Sequence, residues 1–213
     1  MNKEFSCVIP AYNEEGRIGN VVRVAKRHPL IKEVIVVSDG SIDRTVEEAR
    51  LNGADKVIEL KKNIGKGGAV FIGSNLAKSD WILLLDGDLI GIEQKHIDLL
   101  LEPILSDRAD MTIGVLIDEP LIKIFPVISG QRVVKRELII KHPELKESRF
   151  QLELLLNKYA KQLDYRIINV NLPNLSHVKK EQKYNFLTVL SQRLYSSSGY
   201  LLYFFKKIKT LIK

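Results

Sequence analysis

An α/β fold on a mostly parallel sheet is predicted by three features of this 213-residue chain. Short apolar runs alternate with segments of helical period five times over, the rhythm of strand–helix–strand units. Each apolar run ends in a loop rich in Asp, Gly, Asn or Ser. The central run, Trp81 to Leu85, is too short for a helix and stops at Asp86-Gly87-Asp88. It fits a strand buried on both faces. Ligands of open α/β sheets bind at the carboxyl ends of strands, where this acidic triplet falls. Two carboxylates flanking a glycine suit Mg²⁺ or Mn²⁺ shared with substrate phosphates, although Asp and Gly are also ordinary turn residues.

Taken in order, Phe5 to Pro10 is an apolar strand closed by proline. Gly16 to Lys26 carries Ile18, Val21, Val22 and Ala25 at helical spacing. Val34 to Val37 is a second strand, and Asp43 is placed to cap a helix running to Leu51. Lys56 to Leu60 is a third strand, and Asn63 to Gly68 opens a helix through Ala77. After the central strand come a helix from Gln94 to Leu105 and a strand from Met111 to Leu116. The rhythm then breaks. Residues 117–125 read as a loop, Gln131 to Ile140 as a short basic helix, Phe150 to Leu163 as an amphipathic helix containing Glu153, and Tyr165 to Leu172 as a strand before a loop to His177. Residues 184–213 read as two helices broken near Ser196 to Gly199.

Composition narrows the function classes. A single cysteine, Cys7, lies in an apolar strand and excludes an internal disulfide framework. The start of the chain has a strand pattern rather than that of a signal peptide, and no apolar run approaches the ~20 residues of a membrane span. A cytoplasmic protein is expected. The net charge of +7 arises wholly from Lys179 onward, where eight basic residues meet one acid, Glu181. Residues 1–178 are neutral, so a basic face for nucleic acid is not expected. In the tail, Leu201, Phe204, Phe205, Ile208, Leu211 and Ile212 share a helical face among lysines. Such a helix can lie peripherally on the anionic inner membrane surface, or pack on the domain or on a second subunit of a homodimer. Both stay open.

Four loops in register, VIPAYNEE, VSDGSIDRT, NIGKGGAV and LLLDGDL, resemble the catalytic domain of family 2 glycosyltransferases over roughly residues 4 to 116. The resemblance implies the Rossmann-like GT-A fold of nucleotide-diphospho-sugar transferases, with a nucleotide-sugar half at 1–116, an acceptor half at 117–178 and basic helices at 179–213. It implies that Pro10, Ala11 and Tyr12 face the base, that Glu14 meets the ribose, and that Asp39 accepts the imide N–H of uracil. Gly65 and Lys66, with the helix start behind them, suit a diphosphate; a surface turn with a solvated lysine is the plain alternative. Asp86 with Gly87 is assigned mainly to the ribose and Asp88 to the metal, which neutralises the departing diphosphate.

FPVISGQRVVKRELI resembles the acceptor segment of glucosyl-3-phosphoglycerate synthases and polyprenyl-phosphate glycosyltransferases. That implies an acceptor loop of Ser129, Gly130 and Gln131, with Arg132 as a bidentate clamp on an acceptor anion; Lys135 and Arg136 read as a solvated helix face. Glu153 matches the acidic residue facing the sugar, and His177 the histidine that completes the metal site. Their plain alternatives are a helix-surface glutamate and a polar loop residue. Two departures stand out. The 117–125 connection is short for a phosphoglycerate synthase, and no Asp or Glu-Asp pair typical of inverting members is visible beyond Glu153. An acceptor that is already a phosphate anion needs no base to deprotonate it. The expected activity is thus metal-dependent hexosyl transfer from a UDP-sugar, GDP second, to a polyprenyl phosphate or small phospho- or carboxy-acceptor. A sugar-phosphate nucleotidyltransferase lacks its glycine-rich first loop here. A nucleotide-sugar-binding protein without turnover is the rival outside catalysis.

Overall fold

The computed structural model describes residues 3–148 and 151–177. Seven strands form one sheet: β1 (Phe5–Ala11), β2 (Ile31–Ser38), β3 (Lys56–Glu59), β4 (Trp81–Leu84), β6 (Met111–Leu116), β7 (Arg132–Lys135) and β8 (Ile167–Leu172). Their order is β3-β2-β1-β4-β7-β6-β8, and β5 (Leu89–Ile90) pairs with β9 (Ser176–His177) in a separate two-stranded ribbon. The helices are α1 (Ile18–Lys26), α2 (Thr45–Leu51), α3 (Lys66–Leu76), α4 (Gln94–Leu105), α5 (Pro120–Ile124), α6 (Arg136–Ile140) and α7 (Leu152–Gln162).

Strand side chains alternate between two apolar layers, as a two-residue period requires. Cys7, Ile9, Val34, Val36 and Leu83 meet α1, α2 and α4 on one face. Val8, Ile35, Val37, Ile82 and Leu84 meet α3, α6 and α7 on the other. Covering both faces makes these strands apolar throughout, the pattern that marked them in the sequence. Cys7 is fully buried and its thiol is pushed up by that burial, so it is an unreactive core residue. Helix α3 lies close on the sheet because Gly73 has no side chain; a Cβ there would come within 2.6 Å of Val8 Cγ1.

The expected alternation holds through β6 and then changes. The segment Gln131 to Ile140 is not one helix. It begins as β7, antiparallel to both β4 and β6, and only Arg136–Ile140 is helical. Val133 enters one core layer and Val134 the other, so the β-branched pair follows a period of two rather than 3.6. Strand β7 inserts between β4 and β6, so the sheet crosses the expected division at residue 116. The connection at 117–125 contains α5 rather than loop alone. Residues 178–213, including the expected amphipathic helices, lie outside the described residues.

The topology sets where a site can form. From β1 the chain winds through α1 to β2 on one side, while β4 adds to the opposite side of β1. The loops after β1 and β4 therefore diverge from a switch point, the crevice in which doubly wound sheets bind ligands. A Cβ at Gly87 would lie 3.3 Å from Glu14 Cγ and 3.5 Å from Ala11 Cβ, so these two loops pack against each other.

Candidate active site

The loop after β1 is held by side chains of the loop after β2. Asn13 N–H donates to Ser41 Oγ (3.1 Å), Glu14 N–H to Thr45 Oγ1 (2.7 Å) and Glu15 N–H to Asp43 Oδ2 (3.1 Å). Asp43 also accepts the Thr45 amide at the start of α2 (3.0 Å), the capping role expected of it. Asn13 adopts a φ of 55°, a left-handed conformation that asparagine tolerates, and its Oδ1 accepts the Ile42 amide (3.0 Å). Pro10 is half-buried and Ala11 buried, while the Tyr12 ring is 38% exposed. The amides that follow, at residues 13–15, are thus engaged internally, and Tyr12 is the exposed surface this loop offers. Glu14 is 7% exposed and accepts from Arg17 Nε at 2.9 Å; its carboxylate is occupied by a neighbour where a ribose contact was expected.

Asp39 is buried, and its two oxygens accept the amides of Ile64 (2.7 Å) and Gly65 (2.8 Å). It shapes the glycine-rich loop ahead of α3, a use that its expected contact with uracil did not include. Gly65 has a φ of 95°, reached by glycine without strain. Gly67 is required by contact, since a Cβ would meet Leu145 O at 2.3 Å.

Lys66, at the start of α3, reaches Asp86 Oδ1 (2.5 Å) and Glu153 Oε1 (2.8 Å). Burial pulls its ammonium pKa down, but the Asp86 and Glu153 carboxylates outweigh that and hold it above the usual range. Asp86 is likewise opposed by burial, and the Lys66 and His177 cations hold its carboxyl far below the usual range. Gln131 is fully buried and donates from Nε2 to Asp86 Oδ2 (2.9 Å), while Ser129 Oγ donates to Gln131 Oε1 (2.9 Å). Gly130 lies so close that a Cβ would fall 2.3 Å from Asp86 Oδ2 and 2.5 Å from Lys66 Nζ. The expected acceptor loop is thus a wall of the acidic site, with Ser129 and Gln131 directed into it.

Asp86, Asp88 and His177 each offer a ligand atom, all within 4.8 Å of one another. Antiparallel pairing of Leu89 with His177 brings the last segment to the acidic triplet. Two carboxylates and an imidazole are a donor set that fits Mg²⁺ or Mn²⁺, so the residues present suit the implied metal. The grouping includes Asp86, which the resemblance had assigned to the ribose. Burial lowers the pKa of His177, yet its bonds to Asp86 and Glu119 push it up to about 10. A cation binding that imidazole must therefore take the place of a proton.

Arg132 differs most from its expected place. It is fully buried. Its guanidinium donates to Ser129 O (2.8 Å), Asn157 Oδ1 (2.7 Å) and Val127 O (2.8 Å). A side chain of β7 pointing into the interior cannot clamp an acceptor anion from there; it braces the 127–129 turn against α7. The β-branched pair Val133-Val134 carried the strand signal, masked by reading the segment as a helix. Glu119 escaped notice altogether, because nothing local marks it. It meets His177 only through the fold, as described below.

Residues 6–145 match the sequence profile of glycosyl transferase family 2. The chain belongs to this family. Among its relatives, a human dolichyl-phosphate β-glucosyltransferase is 42% identical over 101 residues, covering 40% of this chain and 31% of the relative. A dodecaprenyl-phosphate galacturonate synthase from Rhizobium johnstonii is 33% identical over 120 residues, 52% of this chain and 35% of the relative. The chain thus spans about a third of the length of these curated relatives. In structure it is similar to glucosyl-3-phosphoglycerate synthase from Mycobacterium tuberculosis in complex with Mn²⁺, UDP-glucose and glycerol 3-phosphate. The TM-score is 0.70 at 24% identity, over 83% of this chain and 73% of that one. This likeness bears out the GT-A-type fold. Among the described residues, no helix is long and apolar enough to cross a membrane.

Proposed function

We propose that the chain transfers a hexose from a nucleotide-diphosphate sugar, UDP before GDP, to a phosphorylated acceptor in a metal-dependent reaction. The observation that carries this reading is the meeting of Asp86, Asp88 and His177 beside Lys66 at the switch point of the sheet. Asp88 and His177 would hold Mg²⁺ or Mn²⁺ with Asp86, and the bound ion supplies positive charge for the diphosphate as it leaves. The other roles fall to the chain itself. Tyr12 offers an aromatic face for the base, and Asp39 positions the 64–65 loop. Lys66, with the amides that open α3, meets the phosphates. The Lys66–Asp86–Gln131 chain holds these groups at fixed positions before substrate arrives, the preorganisation that electrostatic catalysis needs.

Glu153 is the carboxylate facing this site from α7, and it is tied to Lys66 at 2.8 Å. Its Oε1 is occupied by the Lys66 ammonium, so an acceptor that is already ionised and needs no base fits this site better. The acceptor named in the human and Rhizobium relatives is a lipid phosphate, and the structural neighbour holds glycerol 3-phosphate. The lipid phosphates agree with a phosphate nucleophile; glycerol 3-phosphate, which also carries hydroxyls, agrees with recognition of a phosphorylated acceptor. The basic segment 184–213 would bring the site to a membrane surface if the acceptor is a lipid. Incubation with radiolabelled UDP-glucose, Mn²⁺ and either a polyprenyl phosphate or 3-phosphoglycerate tests the reading. Label is expected in one acceptor and lost on chelation. Transfer that persists in excess EDTA contradicts it.

A further inference from the structure

The short turn between β6 and α5 holds the arm that carries His177. Asp118 Oδ2 accepts the amide of Asn174 (2.8 Å). The next residue, Glu119, accepts twice with one oxygen: from the His177 amide at 2.6 Å and at ring Nδ1 at 3.0 Å. On the far side of the ring, Nε2 lies 3.2 Å from Asp86 Oδ2. Glu119 is partly buried, and its backbone is fixed because its own N–H donates to Leu116 O (3.0 Å) and its carbonyl accepts from Lys123 N–H (2.9 Å). The carboxylate therefore reaches the imidazole from a rigid turn. An acceptor fixed at Nδ1 keeps a proton on that nitrogen, so Nε2, which faces Asp86 here, is the nitrogen that yields its proton to a cation.

We infer that Glu119 is the positioning residue of the metal site, setting the tautomer and orientation of His177 so that Nε2 is the nitrogen presented to a divalent cation. The inference rests on the proposed metal-dependent reading of the Asp86–Asp88–His177 cluster and adds a residue that touches neither metal nor substrate. It separates two functions within one turn. Asp118 fixes only the backbone of the arm at Asn174, whereas Glu119 fixes the backbone and the ring together. Outer carboxylates of this kind typically change metal affinity by ~10–100-fold when removed.

The test is Mn²⁺ binding to the full chain, followed by electron paramagnetic resonance, for wild type, Glu119→Ala and Glu119→Gln. Imidazole ¹⁵N shifts of the Mg²⁺-loaded proteins are read in parallel. Glutamine keeps an acceptor oxygen for Nδ1–H and for the amide, so Glu119→Gln is expected to bind Mn²⁺ within a few-fold of wild type and to keep the Nδ1–H tautomer. Glu119→Ala is expected to bind ~10–100-fold more weakly and to show a mixture of tautomers. If alanine leaves affinity and tautomer unchanged, the inference is overturned while the metal site stands. If glutamine is as weak as alanine, the effect is charge rather than orientation, which also overturns it. Should the alanine variant fail to fold, the glutamine arm decides alone, since loss of the Nδ1–H tautomer there contradicts the inference. If wild type itself binds no Mn²⁺, the metal reading falls and the inference falls with it.

Discussion

The nucleotide-side loops and the acidic cluster are built by different chemistry. In the first, backbone amides of residues 13–15 donate to side chains 28 to 31 positions away, across two neighbouring parallel strands. In the second, side chains meet side chains: Gln131 with Asp86 across 45 positions, Lys66 with Glu153 across 87, and His177 with Asp86 across 91. The first arrangement fixes a shape and uses neutral donors. The second holds opposed charges in a partly dry crevice, where each carboxylate depends on a cation beside it. Loss of one bond in the loops should loosen a turn. Loss of one member of the cluster should leave an uncompensated buried charge, which costs more.

The largest stability effect is expected at Arg132, a buried cation held by neutral acceptors behind the acidic cluster. Arg132→Ala leaves Ser129 O and Asn157 Oδ1 without this donor, while Val127 O keeps the bond from Asn157 Nδ2. A loss of about 1–3 kcal/mol for each of the two acceptors is expected in urea unfolding. Arg132→Lys should recover little, because one ammonium cannot reproduce the planar fork. A fully stable Arg132→Ala with poor acceptor affinity would restore the clamp reading. Gly130→Ala comes next: its Cβ would enter the Asp86–Lys66 pair. About 1–3 kcal/mol of destabilisation is expected from overpacking, together with weaker Mn²⁺ binding, measured by thermal unfolding with and without the metal.

On the loop side, Asp39→Asn should cost about 1.5–3 kcal/mol, since it replaces a charged acceptor of two amides by a neutral one. Raised hydrogen exchange should be confined to residues 63–66. Exchange spreading into the 13–15 loop would show that the two regions are less separate than their bonding suggests. The smallest effect is on pH. Arg166, bonded to Asp110, holds that carboxyl down to about 2. A depressed carboxylate pKa stabilises the fold above the unfolded value near ~3.9, and this stabilisation is lost as pH falls through about 2. The pair lies at the surface, where solvent screens it, so only a small effect is expected. Asp110→Asn should remove that slope from acid unfolding curves.

The same contrast explains how much was legible in the sequence. Strands covered on both faces are apolar throughout, and their loops carry contiguous motifs, so β1 to β4, β6 and residues 10–16, 39, 65–66 and 86–88 stood out from local pattern, whereas the two-residue β5 did not. The partners of those residues did not. Asp39 was visible, but its use by the Ile64 and Gly65 amides depends on the fold. Arg132 was visible and misplaced, because a four-residue strand marked only by its β-branched pair was read as part of a helix. Glu119 follows an aspartate in what reads as a polar loop, and the parallel β6–β8 pairing, which sets Leu116 beside Leu172, brings it to His177.

The central claim is that the cluster at the switch point binds a metal and a nucleoside diphosphate together. It is tested most directly by thermal unfolding with Mn²⁺, UDP, GDP and their sugars, wild type beside Asp88→Ala. A ligand that binds only the native state raises the midpoint. The account predicts that Mn²⁺ and a uridine diphosphate together raise it for wild type, and that neither alone nor the Asp88→Ala variant reproduces the shift. An equal shift in Asp88→Ala, or none in wild type at millimolar ligand, would contradict it.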